Sequence, residues 1–180
     1  FSTVCTDNDE VGLMAATKIR QKGYTEAAIF ASRHSYFATS QRVQAFISSC
    51  ERLGIETDEK YILKGSSTRN GGYEIGKQYA ALKEPPKMIF CDSDAIALGA
   101  LRAFHEEGIS VPGDAELLSI GMLDPEAASY YVPSLSVVEM PNKEIGQQVL
   151  RLMRKKVLNN DMSSEHVKVH AKLMLRESFS

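Results

Sequence analysis

Phe90-Cys91-Asp92-Ser93-Asp94-Ala95-Ile96-Ala97-Leu98-Gly99-Ala100-Leu101-Arg102 is the stretch on which the fold turns. It closes a short apolar run, Lys87 to Cys91, and passes through three polar residues into a segment, Ile96 to Phe104, that is apolar on most sides and stops at Gly108. The short run reads as a buried strand and the segment after it as a helix packed against a sheet. Asp92-Ser93-Asp94 therefore stands at the carboxyl end of a strand, at the entrance to a helix.

The same alternation extends in both directions. Thr3 to Thr6, Glu26 to Ala31, Lys60 to Leu63, Glu116 to Ile120 and Leu135 to Val138 are further strand candidates, each bounded by Gly, Pro, Asp or Ser. Val43, Phe46, Ile47, Cys50 and Leu53 repeat at helical spacing before Gly54, and Ile75, Tyr79 and Leu82 do so before Pro85-Pro86. Ile145, Val149, Leu152 and Met153 form another amphipathic pattern, which ends in Arg154-Lys155-Lys156, a basic run suited to a helix C-terminus. Strand and helix in strict turn, with loops of a few residues, require parallel strands joined by right-handed crossovers. The predicted fold class is α/β, a doubly wound parallel sheet. In such sheets ligands sit beyond the carboxyl ends of the strands, which singles out Asp7-Asn8, Ser32 to Ser40, Gly65 to Asn70, Asp92 to Asp94, and Met122 to Pro125.

Composition narrows the function classes. The 180 residues are 43% hydrophobic and 24% charged, enough for one core. Lys plus Arg number 21 against 23 Asp plus Glu, so these residues lack the concentrated basic surface that tracks phosphates. No apolar run approaches the roughly 20 residues of a membrane helix, and Phe1-Ser2-Thr3-Val4-Cys5 lacks the basic-then-apolar order of a signal peptide. Three widely spaced cysteines, Cys5, Cys50 and Cys91, fit a reducing, cytoplasmic setting. With four histidines, no CxxC and no HExxH, neither a metal site nor a cofactor is expected. His166 and His170 flank the alternating Val167-Lys168-Val169, where a spacing of four does not join side chains as it would on a helix.

Several post-strand residues have chemistry to offer. Arg42 stands near the start of a helix beyond a strand end, where a guanidinium can either grip paired oxygens of a ligand or pair with a neighbouring carboxylate. Ser93 is both a good N-cap and a possible ligand contact. Tyr36 and Phe37, just ahead of Arg42, either supply an aromatic platform or pack locally. Asp7 and Asn8 are read as caps of the helix starting near Glu10. Cys91 has no His placed nearby in sequence and no G-x-S-x-G elbow accompanies it, so it is read as core and the chain as a binding protein, not an enzyme.

A series of motifs sharpens this. Thr6-Asp7-Asn8 with a helix ending Lys22-Gly23-Tyr24, then Arg42-Val43-Gln44-Ala45-Phe46, Phe90 to Arg102, Gly108-Ile109-Ser110-Val111-Pro112, Val132-Pro133-Ser134-Leu135-Ser136-Val137-Val138, and Leu175-Arg176-Glu177-Ser178 occur in one order. This series resembles the effector-binding core of LacI/GalR-type transcriptional repressors, themselves similar in fold to periplasmic sugar-binding proteins. The resemblance implies a two-lobed core crossed three times by the chain, with the DNA-binding headpiece and the opening half of the first lobe outside these residues. On that footing residues 1–134 and 161–180 belong to the C-terminal lobe, 135–160 to the N-terminal lobe, and Asp7, Asn8 and Ser134 to the hinge. The ligand-binding residues it implies are Arg42, Ser93 and Asp94; the family's Asp aligns with Leu123, so either Asp124 replaces it or the ligand is not held by that bond, and Tyr36 and Phe37 stand in for an aromatic that aligns with Ser67. The partners implied are a small sugar-like effector, DNA through the headpiece, and a second subunit in a homodimer, with no membrane. The other binding function open at this point is that of a solute-binding protein for a sugar transporter.

Overall fold

The computed structural model describes residues 1–33, 37–121, 126–158 and 163–180. Among them run β1 (Thr3–Thr6), α1 (Asn8–Gln21), β2 (Ala28–Ser32), α2 (Phe37–Leu53), β3 (Ile62–Gly65), α3 (Arg69–Ala80), β4 (Met88–Cys91), α4 (Asp94–Glu107), β5 (Glu116–Gly121), α5 (Ala127–Tyr130), β6 (Ser136–Glu139), α6 (Asn142–Leu158), β7 (His166–Val169) and β8 (Lys172–Met174). The order is the α/β alternation predicted from the apolar runs. One strand starts later than expected: Asp58 caps a 3-10 turn, Glu59–Tyr61, by accepting from Lys60 N at 3.0 Å, and β3 begins only at Ile62.

Six strands form one sheet in the order β3-β2-β4-β5-β6-β8, and β1 and β7 form a separate parallel pair. From β3 to β6 the neighbours are parallel, while β8 closes the edge antiparallel to β6. The central strands β2 and β4 are buried along their whole length. This is why they read as unbroken apolar runs rather than alternating ones. One face of the sheet carries α1 and α2, with Val11, Ile19 and Phe46 packed on Ile29, Phe90 and Leu118. The other carries α3 and α4, with Ile75, Ile96 and Phe104 on Phe30, Ile89 and Leu117. Phe46 stacks on Phe90 with ring centroids 3.9 Å apart, and Phe30 meets Tyr79 edge-on at 5.5 Å. α4 ends at Gly108, whose φ of 71° is the left-handed turn a glycine takes without strain.

The strand pairing moves the expected lobe boundaries. β6 was assigned with residues 135–160 to the N-terminal lobe, but its residues bond to β5 on one side and β8 on the other, inside the six-stranded sheet. Only α6 leaves that sheet, to pack on β1 and β7. In the same way, β1 and β7 pair with each other, from Thr3 opposite His166 to Thr6 opposite Val169, although both fell within the ranges assigned to the C-terminal lobe. The chain thus passes between the two sheets after β1, after β6 and after β7. Ser134 is not at any of these passages. Its N–H and hydroxyl donate to Glu177 Oε2 at 2.7 and 2.9 Å, at the start of β6.

Candidate functional site

Beyond the carboxyl ends of β2 and β4 the chain gathers buried polar groups. Backbone pairing sets β2 beside β4, and Asp92 N extends the ladder by donating to Phe30 O at 3.0 Å. This brings the Asp92 carboxylate to the end of β2, where Oδ2 accepts from Ser32 N at 2.6 Å. Asp92 is 1% exposed and Arg42 5% exposed. Burial pushes the Asp92 carboxyl above the usual range, against the pull of the Ser32 N–H and hydroxyl, the Ser93 hydroxyl and, least, the Arg42 charge. Burial likewise lowers the Arg42 guanidinium from its ordinary value, and the Asp92 charge acts in the opposite direction.

Arg42 borders a cleft of about 1190 Å³ between α2 and the smaller unit. Its lining includes Phe37, Gln41 and Ala45 of α2, Thr6 of β1, Met140 after β6, and Lys168 of β7. Arg42, Phe37, Asp7 and Asn8 therefore share one cleft. Phe37 is largely exposed, with no core to pack into, at the first position of α2. Asp7 caps α1 by accepting from Glu10 N at 3.4 Å and also accepts from Lys168 Nζ at 2.8 Å. Asn8 Nδ2 donates to Gln41 Oε1 at 3.1 Å, linking the starts of α1 and α2. The histidines at strand ends also bridge elements: His166 Nδ1 lies 2.9 Å from Thr3 Oγ1, and His170 Nδ1 lies 2.7 Å from Glu10 Oε2.

Ser93 and Asp94 do not line this cleft. Ser93 occupies the N-cap position of α4 but makes no side-chain capping bond; its buried hydroxyl instead acts on the neighbouring Asp92 carboxylate. Asp94 opens α4, 6% exposed, where the helix dipole favours a negative charge. Tyr36 and Asp124 lie outside the described residues, as does Leu123.

Sequence reasoning gave Gln41 and Lys168 no role, and it singled out Asp92 with its neighbours without giving it a role of its own. A signal for Asp92 was present: an ionisable residue directly after a four-residue apolar strand must find buried partners. Cys91 is fully buried with its thiol pushed well up by burial, so it is no nucleophile, whereas Cys5 is exposed along the cleft. Among the described residues, no group of three or more His, Cys, Asp or Glu could hold a metal ion, and no helix is long and apolar enough to cross a membrane. The arrangement offers a fixed guanidinium, amides, hydroxyls and an aromatic ring, a set suited to binding a small polar molecule.

Residues 16–179 match the family described as periplasmic binding protein-like domain. The HTH-type transcriptional repressor PurR of Mannheimia succiniciproducens is 27% identical over 169 residues, which are 94% of this chain and 50% of that protein. The chain thus spans about half the length of the curated relatives it matches. A LacI family transcription regulator from Clostridium acetobutylicum superposes with a TM-score of 0.93 at 30% identity, covering 98% of this chain and 65% of that one. A LacI family regulator from Enterococcus faecium, solved with bound ribose, has the same fold, with a TM-score of 0.88 at 20% identity over 99% of this chain and 65% of that one.

Proposed function

The chain belongs to the periplasmic binding protein-like domain family as a LacI/GalR-type effector-binding core, and from this premise we propose that it senses a small sugar-like effector in the cleft beside α2. The observation that carries this reading is Arg42: a guanidinium only 5% exposed yet bordering a cleft of about 1190 Å³. Its fork of donors is pre-oriented by burial and matches paired hydroxyl or ring oxygens. Phe37 borders the same cleft; Tyr36, Ser93, Asp94 and Asp124 are proposed contacts on the family resemblance alone, Ser93 and Asp94 lying outside the lining among the described residues. Ribose bound to the Enterococcus faecium regulator favours a sugar over other small molecules.

The rest of the mechanism follows from the connections. Two sheet units joined by three passages, at Asp7-Asn8, at Met140 to Asn142 and at His170-Ala171, form a hinge set that lets one unit close on the other. Effector held across the cleft favours the closed arrangement by the ratio of its affinities for the two states, and by nothing more. In a cytoplasmic homodimer carrying DNA-binding headpieces, closure shifts how the headpieces meet DNA, so that effector controls repression.

A thermal-shift screen of the full-length protein against ribose, other neutral sugars, sugar phosphates and nucleobases tests this reading. A concentration-dependent rise in melting temperature with a sugar is the expected result. Stabilisation by none of the panel overturns it.

A further inference from the structure

Gln41 stands one residue before Arg42 on α2, and its amide reaches a different element. Its Oε1 accepts from Asn8 Nδ2 at 3.1 Å. Asn8 is the first residue of α1, directly after Asp7, at the first passage between the two sheets. The Asp7 carboxylate divides its two oxygens across that passage: Oδ1 accepts from Glu10 N inside α1 at 3.4 Å, and Oδ2 accepts from Lys168 Nζ of β7 at 2.8 Å. Asp7 N also donates to Val169 O at 3.4 Å, extending the pairing of β1 with β7. Glu10, in the same first turn of α1, meets His170 at the third passage, with Oε2 2.7 Å from Nδ1. Gln41, Asn8, Asp7 and Lys168 all line the cleft that Arg42 borders.

Resting on the reading of this cleft as an effector site, we propose that Gln41 is a positioning residue for effector sensing: through Asn8 and Asp7 it ties the start of α2, where the effector is gripped, to β7 of the smaller unit. Asn8 follows Asp7 in the chain, so an amide held at Asn8 fixes the backbone from which the Asp7 carboxylate is aimed. Without that restraint the carboxylate must hold donors on both sides of the passage from a backbone free to rock, and the bond to the more exposed donor, Lys168, is screened by water and lost first. Each of these bonds is weak singly, because the groups are partly exposed. Their effect lies in direction: the series crosses from one sheet unit to the other where the chain itself crosses. A ligand that settles on the start of α2 therefore also steadies the passage and the far wall of the cleft. Such coupling is established by perturbing one end of the series and reading the other.

Hydrogen-exchange mass spectrometry on the full-length protein separates this inference from the reading beneath it. The first arm uses no ligand. Gln41→Met and Asn8→Ala each remove one partner of the bond, at positions that are exposed and half-buried. Each should speed amide exchange over Val167 to Ala171 about threefold, the size one net hydrogen bond allows. The double variant should do no more than either single one, because both remove the same bond. Exchange over Leu117 to Ile120, in the buried centre of the sheet, should not change. Wild-type exchange over Val167 to Ala171 in either variant, effects that multiply in the double variant, or an equal rise over Leu117 to Ile120 overturns the role of Gln41. In the second arm ribose is added as the probe. In the wild type it should slow exchange both at the start of α2 and over Val167 to Ala171, and in Gln41→Met at the start of α2 alone. Slowing over Val167 to Ala171 that survives in Gln41→Met overturns the inference. Loss of slowing at both places makes Gln41 a ligand contact and overturns its positioning role. Ribose that changes nothing in the wild type counts against the sugar-effector reading, and the ligand-free arm then decides the role of Gln41 by itself.

Discussion

Lys168 Nζ donates to Asp7 Oδ2 at 2.8 Å, joining the end of β7 to the residue that caps α1. The bond spans two of the three passages between the sheets, so the hinge region is held by a cap and an ion pair at once. Their contributions differ. Lys168 is 58% exposed and its pair is solvent-screened, so Lys168→Ala should cost at most about 0.5 kcal/mol. Asp7→Ala removes the cap as well and should cost about 1 kcal/mol more. Urea denaturation of both variants checks the order.

The same carboxylate sets an acid limit. The Lys168 ammonium, and then the Glu10 N–H, hold Asp7 below the usual carboxylate range, and Glu165 is held down by Lys155 and Arg151. A depressed folded value means that stability is fully present above the unfolded value of about 4 and is lost as pH falls through the folded one. The contribution of these two carboxylates should therefore be level from neutral pH to about 5 and decline below about pH 4, so that the acid decline is shallower in Asp7→Asn than in the wild type. Denaturation midpoints measured across that range test the sign.

Ser178, fully buried, fastens the last residues to the sheet. Its hydroxyl donates to Leu117 O at 2.8 Å and accepts from Ser136 N at 2.8 Å. Ser178→Ala leaves a buried carbonyl and a buried N–H without partners and should lower stability by about 2 kcal/mol, read by chemical denaturation.

Helices α3 and α4 touch backbone to backbone at Gly99, where an added Cβ would come within 1.9 Å of Arg69 O. Gly99→Ala should cost about 3 kcal/mol or more, since backbone rather than a flexible side chain must move. Gly146 of α6 has nothing within 4 Å of that position, so Gly146→Ala should stabilise by up to about 1 kcal/mol through helix propensity. Melting temperatures of the two variants should move in opposite directions.

These contrasts show where the sequence was legible. Val43, Phe46, Cys50 and Leu53 announced α2 because one stripe of it faces the sheet, and the apolar runs of β2, β4 and β5 announced a parallel sheet because both faces are covered. Arg42 was singled out by its place near the start of a helix beyond a strand end, and only the family resemblance gave it a ligand role. The antiparallel edge β8 was not, because three residues with alternating exposure carry too little pattern. The sheet to which β6 belongs was misplaced because β5 and β8, far apart in sequence, decide it. Asp92 was given no role of its own, unlike Ser93 and Asp94, because its partners Phe30 and Ser32 lie on the neighbouring strand β2, some sixty residues away, where local sequence does not reveal them.

The most direct measurement of the central claim compares the full-length wild type with Arg42→Ala by thermal shift, using whichever sugar stabilises the wild type. At about a hundredfold excess over Kd the wild type should gain roughly 5–10 °C, and a folded Arg42→Ala protein should gain almost nothing. An Arg42→Ala protein that keeps the full shift would place the effector elsewhere and contradict the account.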